Sequence, residues 1–251
     1  MTTLREWDQR FKQQAGWTAS IRSYLYRMAS IQQAEMILDV GCGTGVLLAE
    51  LQQQYHCPAF GLDLDLKSLR FSRQNGQKSR LFAGDACRIP LSSNRVDIAF
   101  FHFVLLWLED VQTALQEVKR CLKPGGWILC LAEPDHASRV DFPPPLDELG
   151  ASQTRSLQRQ GADISAGRKL ATWVKQAGLQ VVESGVLGSQ WQPVIDPYEF
   201  EMEWEWLKRD GVECKSLTSD EIKKMDWQAR LDGNRVMYVP MYYACARKSA
   251  S

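Results

Sequence analysis

One segment, Leu38-Asp39-Val40-Gly41-Cys42-Gly43-Thr44-Gly45, constrains this chain more than any other. It comes after an apolar run at 36–40 and precedes an amphipathic stretch at 46–53. Glycines at alternate positions let a backbone turn tightly and approach a ligand where a Cβ would clash. The helix start behind them presents free N–H groups and a positive dipole end. The pattern therefore predicts a strand, a ligand-cradling turn and a helix. A glycine loop alone also fits a plain tight turn, so its meaning rests on the residues downstream of it.

Two acids stand at telling places there. Asp63 comes after the apolar run 59–62, about twenty residues past the loop, where a βαβ unit places an acceptor for ribose hydroxyls. Asp85 stands in Ala83-Gly84-Asp85-Ala86, at the end of a third short strand. Each acid alone reads as a solvated loop residue. Together with the glycines, at the carboxyl ends of three successive strands, they outline a nucleoside pocket.

Further runs at 96–101 and 127–132 are apolar without interruption, as strands buried on both faces require. Stretches 46–53, 66–75 and 111–122 read as helices. Val111, Leu115, Val118 and Leu122 make an apolar stripe at helical spacing, and Lys123-Pro124-Gly125-Gly126 stops that helix. Strands alternating with helices predict an α/β fold with a doubly wound sheet. The first thirty residues read as helical. The rhythm loosens over 133–165, where Phe142-Pro143-Pro144-Pro145 excludes regular helix and central strand. A helix near 167–176 and a strand at 179–187 come next. In Asp196-Pro197-Tyr198-Glu199 a capping box with proline at the first helical position competes with the strict alternation of Tyr198 to Trp206, and we favour helix. Thr218 and Glu221 offer a second capping box, Gly233-Asn234 a stop, and 236–246 a last strand. The expectation is one domain: an N-terminal helical cap (1–34), a ligand-binding core (35–190), a helical insertion (191–235), and the last strand with its tail (236–251).

Thirty Lys and Arg balance thirty Asp and Glu. That balance argues against a general nucleic-acid binder, which needs positive excess. Seven scattered cysteines with no CxxC pair suggest a reducing cytoplasm rather than a disulfide framework. His56, His102 and His136 have no metal-ligand spacing, so no metal site is expected. The N-terminal residues lack the apolar stretch of a signal peptide. The longest apolar run, 98–108, is too short for a bilayer span and reads as a buried strand entering a turn.

Over residues 35–135 these motifs resemble the class I S-adenosylmethionine-dependent methyltransferases. LDVGCGTG looks like the first motif, GLDLD the acidic second and GDA the third. RVDIAFFHFVLLWLED looks like the fourth, and CLKPGGWIL the helix stop and fifth strand. Within that family the chain looks closest to the small-molecule branch that includes ubiquinone and menaquinone methyltransferases. The resemblance implies a Rossmann-like seven-stranded sheet in the order 3-2-1-4-5-7-6, its last strand antiparallel. It implies S-adenosylmethionine as cofactor. Gly41, Gly43 and Gly45 would lie against its methionine part, which Asp39 would help orient. Asp63 would bind the ribose diol with Leu64 beside it. Asp85 would take the adenine amino group with Ala86 beside the ring, and the Phe101 backbone the methionine ammonium. Asp65 departs from the pattern, since the family often carries Ser there.

Two other classes stay open. A cofactor-binding regulatory or partner protein would keep the pocket without turnover. A dinucleotide oxidoreductase would need G-x-G-x-x-G/A, whereas position 46 is Val and no basic residue near the loop balances a pyrophosphate.

Methyl transfer from a sulfonium is an in-line displacement that relies on positioning and exclusion of water. A base is needed only if the attacking atom still carries a proton. Acceptor-side candidates are His102 after the fourth strand and Glu133, Asp135 and His136 after the fifth, at the ligand-binding edge of such a sheet. For His102 the competing reading is a core or cofactor-shell histidine, and for the Glu133 segment an exposed proline turn. Trp191, Tyr198, Phe200, Trp204, Trp206 and Trp227 could line a pocket or simply pack. A lid formed by the N-terminal helices and the insertion is a further expectation. Cys42 reads as a small packing residue, and Trp107 as packing behind the fourth strand. The expected partner is a small-molecule methyl acceptor, with no nucleic acid and no membrane span.

Overall fold

A computed structural model describes residues 3–188, 196–212 and 217–250. The apolar runs form the strands β1 (Ile37–Val40), β2 (Ala59–Asp63), β3 (Arg80–Ala83), β4 (Val96–Phe101) and β5 (Leu122–Pro134). Pairing is parallel from β3 through β2, β1 and β4 to β5. β9 (Met241–Arg247) joins the far edge of β5 and pairs antiparallel with β7 (Gln180–Val186). The order β3-β2-β1-β4-β5-β9-β7 is the expected seven-stranded topology.

Period-two alternation sorts the strand residues between two cores. Leu38, Val40, Ala99, Phe101, Ile128 and Cys130 enter one cluster with α5 (Val111–Cys121) and α7 (Ala166–Gln176). Ile37, Ile98, Phe100, Leu129 and Leu131 enter the other. There they meet α2 (Ala19–Met28), α3 (Val46–Glu50) and α4 (Leu66–Gln74). Phe100 and Phe101 are fully buried on opposite faces, each worth about 1.5–3 kcal/mol. The N-terminal helices α1 (Leu4–Trp17) and α2 are part of this packing, since Ala15, Leu25 and Tyr26 are core residues.

The chain divides into two compact units. The first holds 1–133, 168–187 and 242–251, and the second 134–167 and 188–241. In the second, α6 (Asp147–Arg159), α8 (Pro197–Arg209) and α9 (Ser219–Leu231) surround Leu146, Leu149, Phe200, Trp204, Leu207 and Ile222. Asp196 caps α8 by accepting from the Tyr198 and Glu199 N–H groups, so the cap prevails over the alternating pattern. The Thr218–Glu221 capping box forms at α9.

Three expectations need correction. The last strand is broken in two: β8 (Val236–Tyr238) pairs with β6 (Val140–Phe142) in a separate ribbon, and Pro240 precedes β9. Helix α6 lies inside the stretch that read as irregular. Trp107 is 44% exposed rather than packed behind β4, because the chain leaves that strand in a 3-10 turn, Leu105–Trp107.

Candidate active site

The glycine loop turns from β1 into α3 at the carboxyl edge of the sheet. The Gly41 and Cys42 N–H groups donate to the Leu62 carbonyl at 2.7 and 3.0 Å, tying the turn to the end of β2. Gly41 (φ +78°) and Gly43 (φ +51°) sit in the left-handed region that side chains disfavour. Space forbids a side chain as well. A Cβ on Gly41 would stand 2.5 Å from a Val104 methyl, and one on Gly43 2.9 Å from the Phe11 ring.

Asp63 clamps this cradle. Its Oδ2 accepts from the Gly43 N–H at 2.6 Å and its Oδ1 from the Asp65 N–H at 2.8 Å. Its carbonyl accepts from the Gly84 N–H at 3.0 Å, which joins the end of β3 to the same edge. The unusual Asp65 caps α4, accepting from the Lys67 and Ser68 N–H groups. The Ser68 hydroxyl, then those N–H groups, hold its carboxyl below the usual range. Asp85 is exposed and accepts from the Cys87 N–H at 2.8 Å, leaving carboxylate capacity for a ligand. Ala86 beside it is half-buried. Leu64 is 78% exposed next to Asp63. Phe101 is fully buried at the end of β4.

Asp39 is buried on β1, and burial, then the charge of Asp63, pushes its carboxyl well above the usual range. Among the described residues no Lys or Arg forms an ion pair with Asp39 or Asp63. The cradle is thus acidic, shaped by backbone, and short of positive charge. A pyrophosphate would be repelled there, whereas a sulfonium or ammonium group would be stabilised.

Beyond β4 the backbone turns sharply. Phe103 has φ +58°, which costs a bulky residue about 1–3 kcal/mol. Its N–H is held by the Ala132 carbonyl at 3.0 Å. Glu133 grips the next three residues. Its Oε1 accepts from the Val104 and Leu105 N–H groups at 3.0 and 2.9 Å, and its Oε2 from Leu106 at 3.2 Å. Burial nonetheless pushes Glu133 up to about 7. This acid shapes the loop that carries Val104 over Gly41.

His102 lies in the same loop, with Nε2 2.9 Å from the Thr18 hydroxyl. Burial, then the charge of Arg22, pushes it down to about 3, so the imidazole is neutral. Asp135 and His136 belong to the second unit. Asp135 is buried, and its Oδ1 accepts from the Ser138 N–H at 3.1 Å. His136 lines an open cavity of about 500 Å³ with Arg139, Asp141, Asp147, Gly150 and Thr154.

Among the insertion aromatics, Phe200 packs against both Trp204 and Trp227, Trp206 is buried, and Tyr198 is 61% exposed. Trp191 lies outside the described residues. Cys42 is buried. Sequence reasoning missed Phe11, Val104, Thr18 and Arg22. The spacing of Trp7 and Phe11 on one face of α1 was the signal for Phe11; nothing local marks the others.

Comparison with known proteins agrees with this geometry. A methyltransferase-domain family profile matches residues 38–130. An uncharacterized methyltransferase of Schizosaccharomyces pombe is 30% identical over 64% of this chain and 62% of its own length. The match therefore spans under two thirds of that relative. A demethylmenaquinone methyltransferase of Lactiplantibacillus plantarum is 30% identical over 58% of this chain and 70% of its own. The structure of Haemonchus contortus phosphoethanolamine N-methyltransferase 2 with S-adenosyl-L-methionine superposes with a TM-score of 0.57 at 15% identity, covering 92% of this chain and 52% of that one. The sequence relatives and the acidic glycine cradle together show that the chain belongs to the class I S-adenosylmethionine-dependent methyltransferase family.

Proposed function

We propose that this protein transfers the methyl group of S-adenosylmethionine to a small-molecule acceptor. The observation that carries the reading is the cradle itself: closely approached backbone at Gly41 and Gly43, walled by Asp39 and Asp63, with no ion-paired cation on either acid among the described residues. When bound, the cofactor supplies an electrophilic methyl on a positively charged sulfur. Gly41, Gly43 and Gly45 admit its methionine part, and Asp39 faces the positive charge. Asp63, already fixed by two N–H groups, has lone pairs left for the ribose hydroxyls. Asp85 takes the adenine amino group with Ala86 and Leu64 flanking, and the Phe101 carbonyl accepts from the methionine ammonium. His102 contributes to the acceptor side as a neutral group. Asp135 and His136 are acceptor-side candidates of the second unit. A relative named for demethylmenaquinone supports a small-molecule acceptor.

The test is calorimetric titration with S-adenosylmethionine and S-adenosylhomocysteine, beside NADH and NADPH. One-to-one binding of the first pair alone is expected. In Asp63→Ala that binding weakens by about 1–3 kcal/mol, the range for an unpaired polar partner. Failure of the folded wild type to bind the first pair overturns the reading. Binding without turnover on any acceptor in a subsequent screen points to a regulatory or partner role instead.

A further inference from the structure

A chain of polar groups, buried at Thr18 and Arg22 and half-buried at Glu50 and His102, runs from α3 through the N-terminal helices to His102. Arg22 on α2 is 2% exposed. Its Nε and Nη2 donate to the two Glu50 carboxylate oxygens at 3.1 and 2.5 Å. Its Nη1 donates to the Ala15 carbonyl at 2.5 Å and to the Thr18 hydroxyl oxygen. A guanidinium only donates, so Thr18 is an acceptor toward Arg22.

Thr18 has one proton left to place, and three acceptors surround it. His102 Nε2 stands at 2.9 Å, the Ala15 carbonyl at 3.3 Å and the Gln14 carbonyl at 3.4 Å. The Ala15 carbonyl already accepts from Arg22 Nη1 and from the Thr18 N–H, which uses both lone pairs. The Gln14 carbonyl is at the outer limit of hydrogen-bond length. The charged donor on Thr18 also polarises its O–H and strengthens its donation.

We propose that Thr18, held by Arg22 and Glu50, donates to His102 Nε2 and so locks His102 as the neutral tautomer with its proton on Nδ1, an N–H donor and not a base. The ring also makes an edge contact with Phe103, centroids 4.5 Å apart. Thr18, Arg22 and Glu50 are then positioning residues, acting on the site through His102.

The functional meaning rests on the methyl-transfer reading. An N–H donor after β4 would orient an acceptor through an oxygen lone pair. With no base from His102, it suits an acceptor whose attacking atom is already deprotonated, such as a carboxylate or an enolate.

The experiment is a two-bond proton–nitrogen correlation spectrum of the full chain labelled with 15N-histidine, at neutral pH. The chain has three histidines, and His102→Asn identifies the His102 signals by their loss. The expected spectrum shows protonated Nδ1 and unprotonated Nε2 at His102. Thr18→Ser should keep it, and Thr18→Val should move the ring toward the Nε2–H tautomer. Protonated Nε2 in the wild type, or a Thr18→Val spectrum identical to wild type, overturns the proposal. If Thr18→Val fails to fold, the wild-type and Thr18→Ser spectra decide it. Titration of wild type with S-adenosylhomocysteine separates the two readings: the expected tautomer without binding overturns the donor pocket and leaves the lock standing.

Discussion

Replacing Glu133 by glutamine should change how stability depends on pH, and the structure gives the size. The carboxylate accepts three backbone hydrogen bonds, which favour its charged form, yet it is fully buried, and burial dominates. Its titration moves from an ordinary value of 4.5 in the unfolded chain to about 7 in the folded one. The folded state then binds the proton more tightly. The contribution is fully present below pH 4.5 and is lost as pH rises toward 7. At 1.36 kcal/mol per decade the loss is about 3 kcal/mol. Glutamine keeps one accepting oxygen for Val104 and Leu105 but turns an N–H₂ toward the Leu106 N–H, costing about 1–2 kcal/mol. Urea unfolding from pH 4.5 to 7.5 should therefore show Glu133→Gln less stable than wild type at the acid end. The two curves should approach as pH rises and cross between about pH 5 and 6, where the loss equals that cost. Other titrating groups, Asp39 among them, are common to both proteins and cancel in the difference. Parallel curves would refute the balance of burial against hydrogen bonding at this residue.

Further substitutions address the cradle and the second unit. Gly43→Ala should lower stability by about 1–2 kcal/mol from its left-handed backbone alone, with an added steric part against Phe11. In thermal melts, Phe11→Ala in the Gly43→Ala background should recover only the steric part; full recovery would remove the backbone argument. Asp226 is 1% exposed and accepts from Arg235 Nε at 2.6 Å, Arg230 Nη2 at 3.2 Å and Trp204 Nε1 at 2.9 Å. Asp226→Ala strips the buried Trp204 N–H of its acceptor and leaves Arg235 to Asp141 and Arg230 to Glu203 alone, and should cost about 1–3 kcal/mol. Tryptophan fluorescence during urea unfolding would read that loss, and an unshifted midpoint would show the network to be neutral. Thr218→Ala should cost about 1 kcal/mol by removing the cap of α9; helical circular dichroism on heating gives the comparison.

The sequence determined what is local. Strand and helix alternation over 36–132, the glycine turn and its two acids are written in spacing and residue type. The caps at Asp196 and Thr218 are written there too, because each signal acts within a few residues of itself. Helix α6 was not legible, since its buried face has one large apolar residue, Leu149, with Gly150, Ser152 and Ser156, which leaves no apolar stripe. The break before β9 was half legible: Pro240 marks it, but only pairing with β6 shows that 236–238 belong to another sheet. Tertiary structure alone decided that Val104 and Phe11 close over the glycines, that Glu133 bends back to hold the loop after β4, and that Thr18 meets His102 across 84 residues of chain. Such contacts arise where surfaces of distant segments pack. No period or spacing along the chain records them, because their energy depends on the neighbour that the fold delivers and not on the neighbour in sequence.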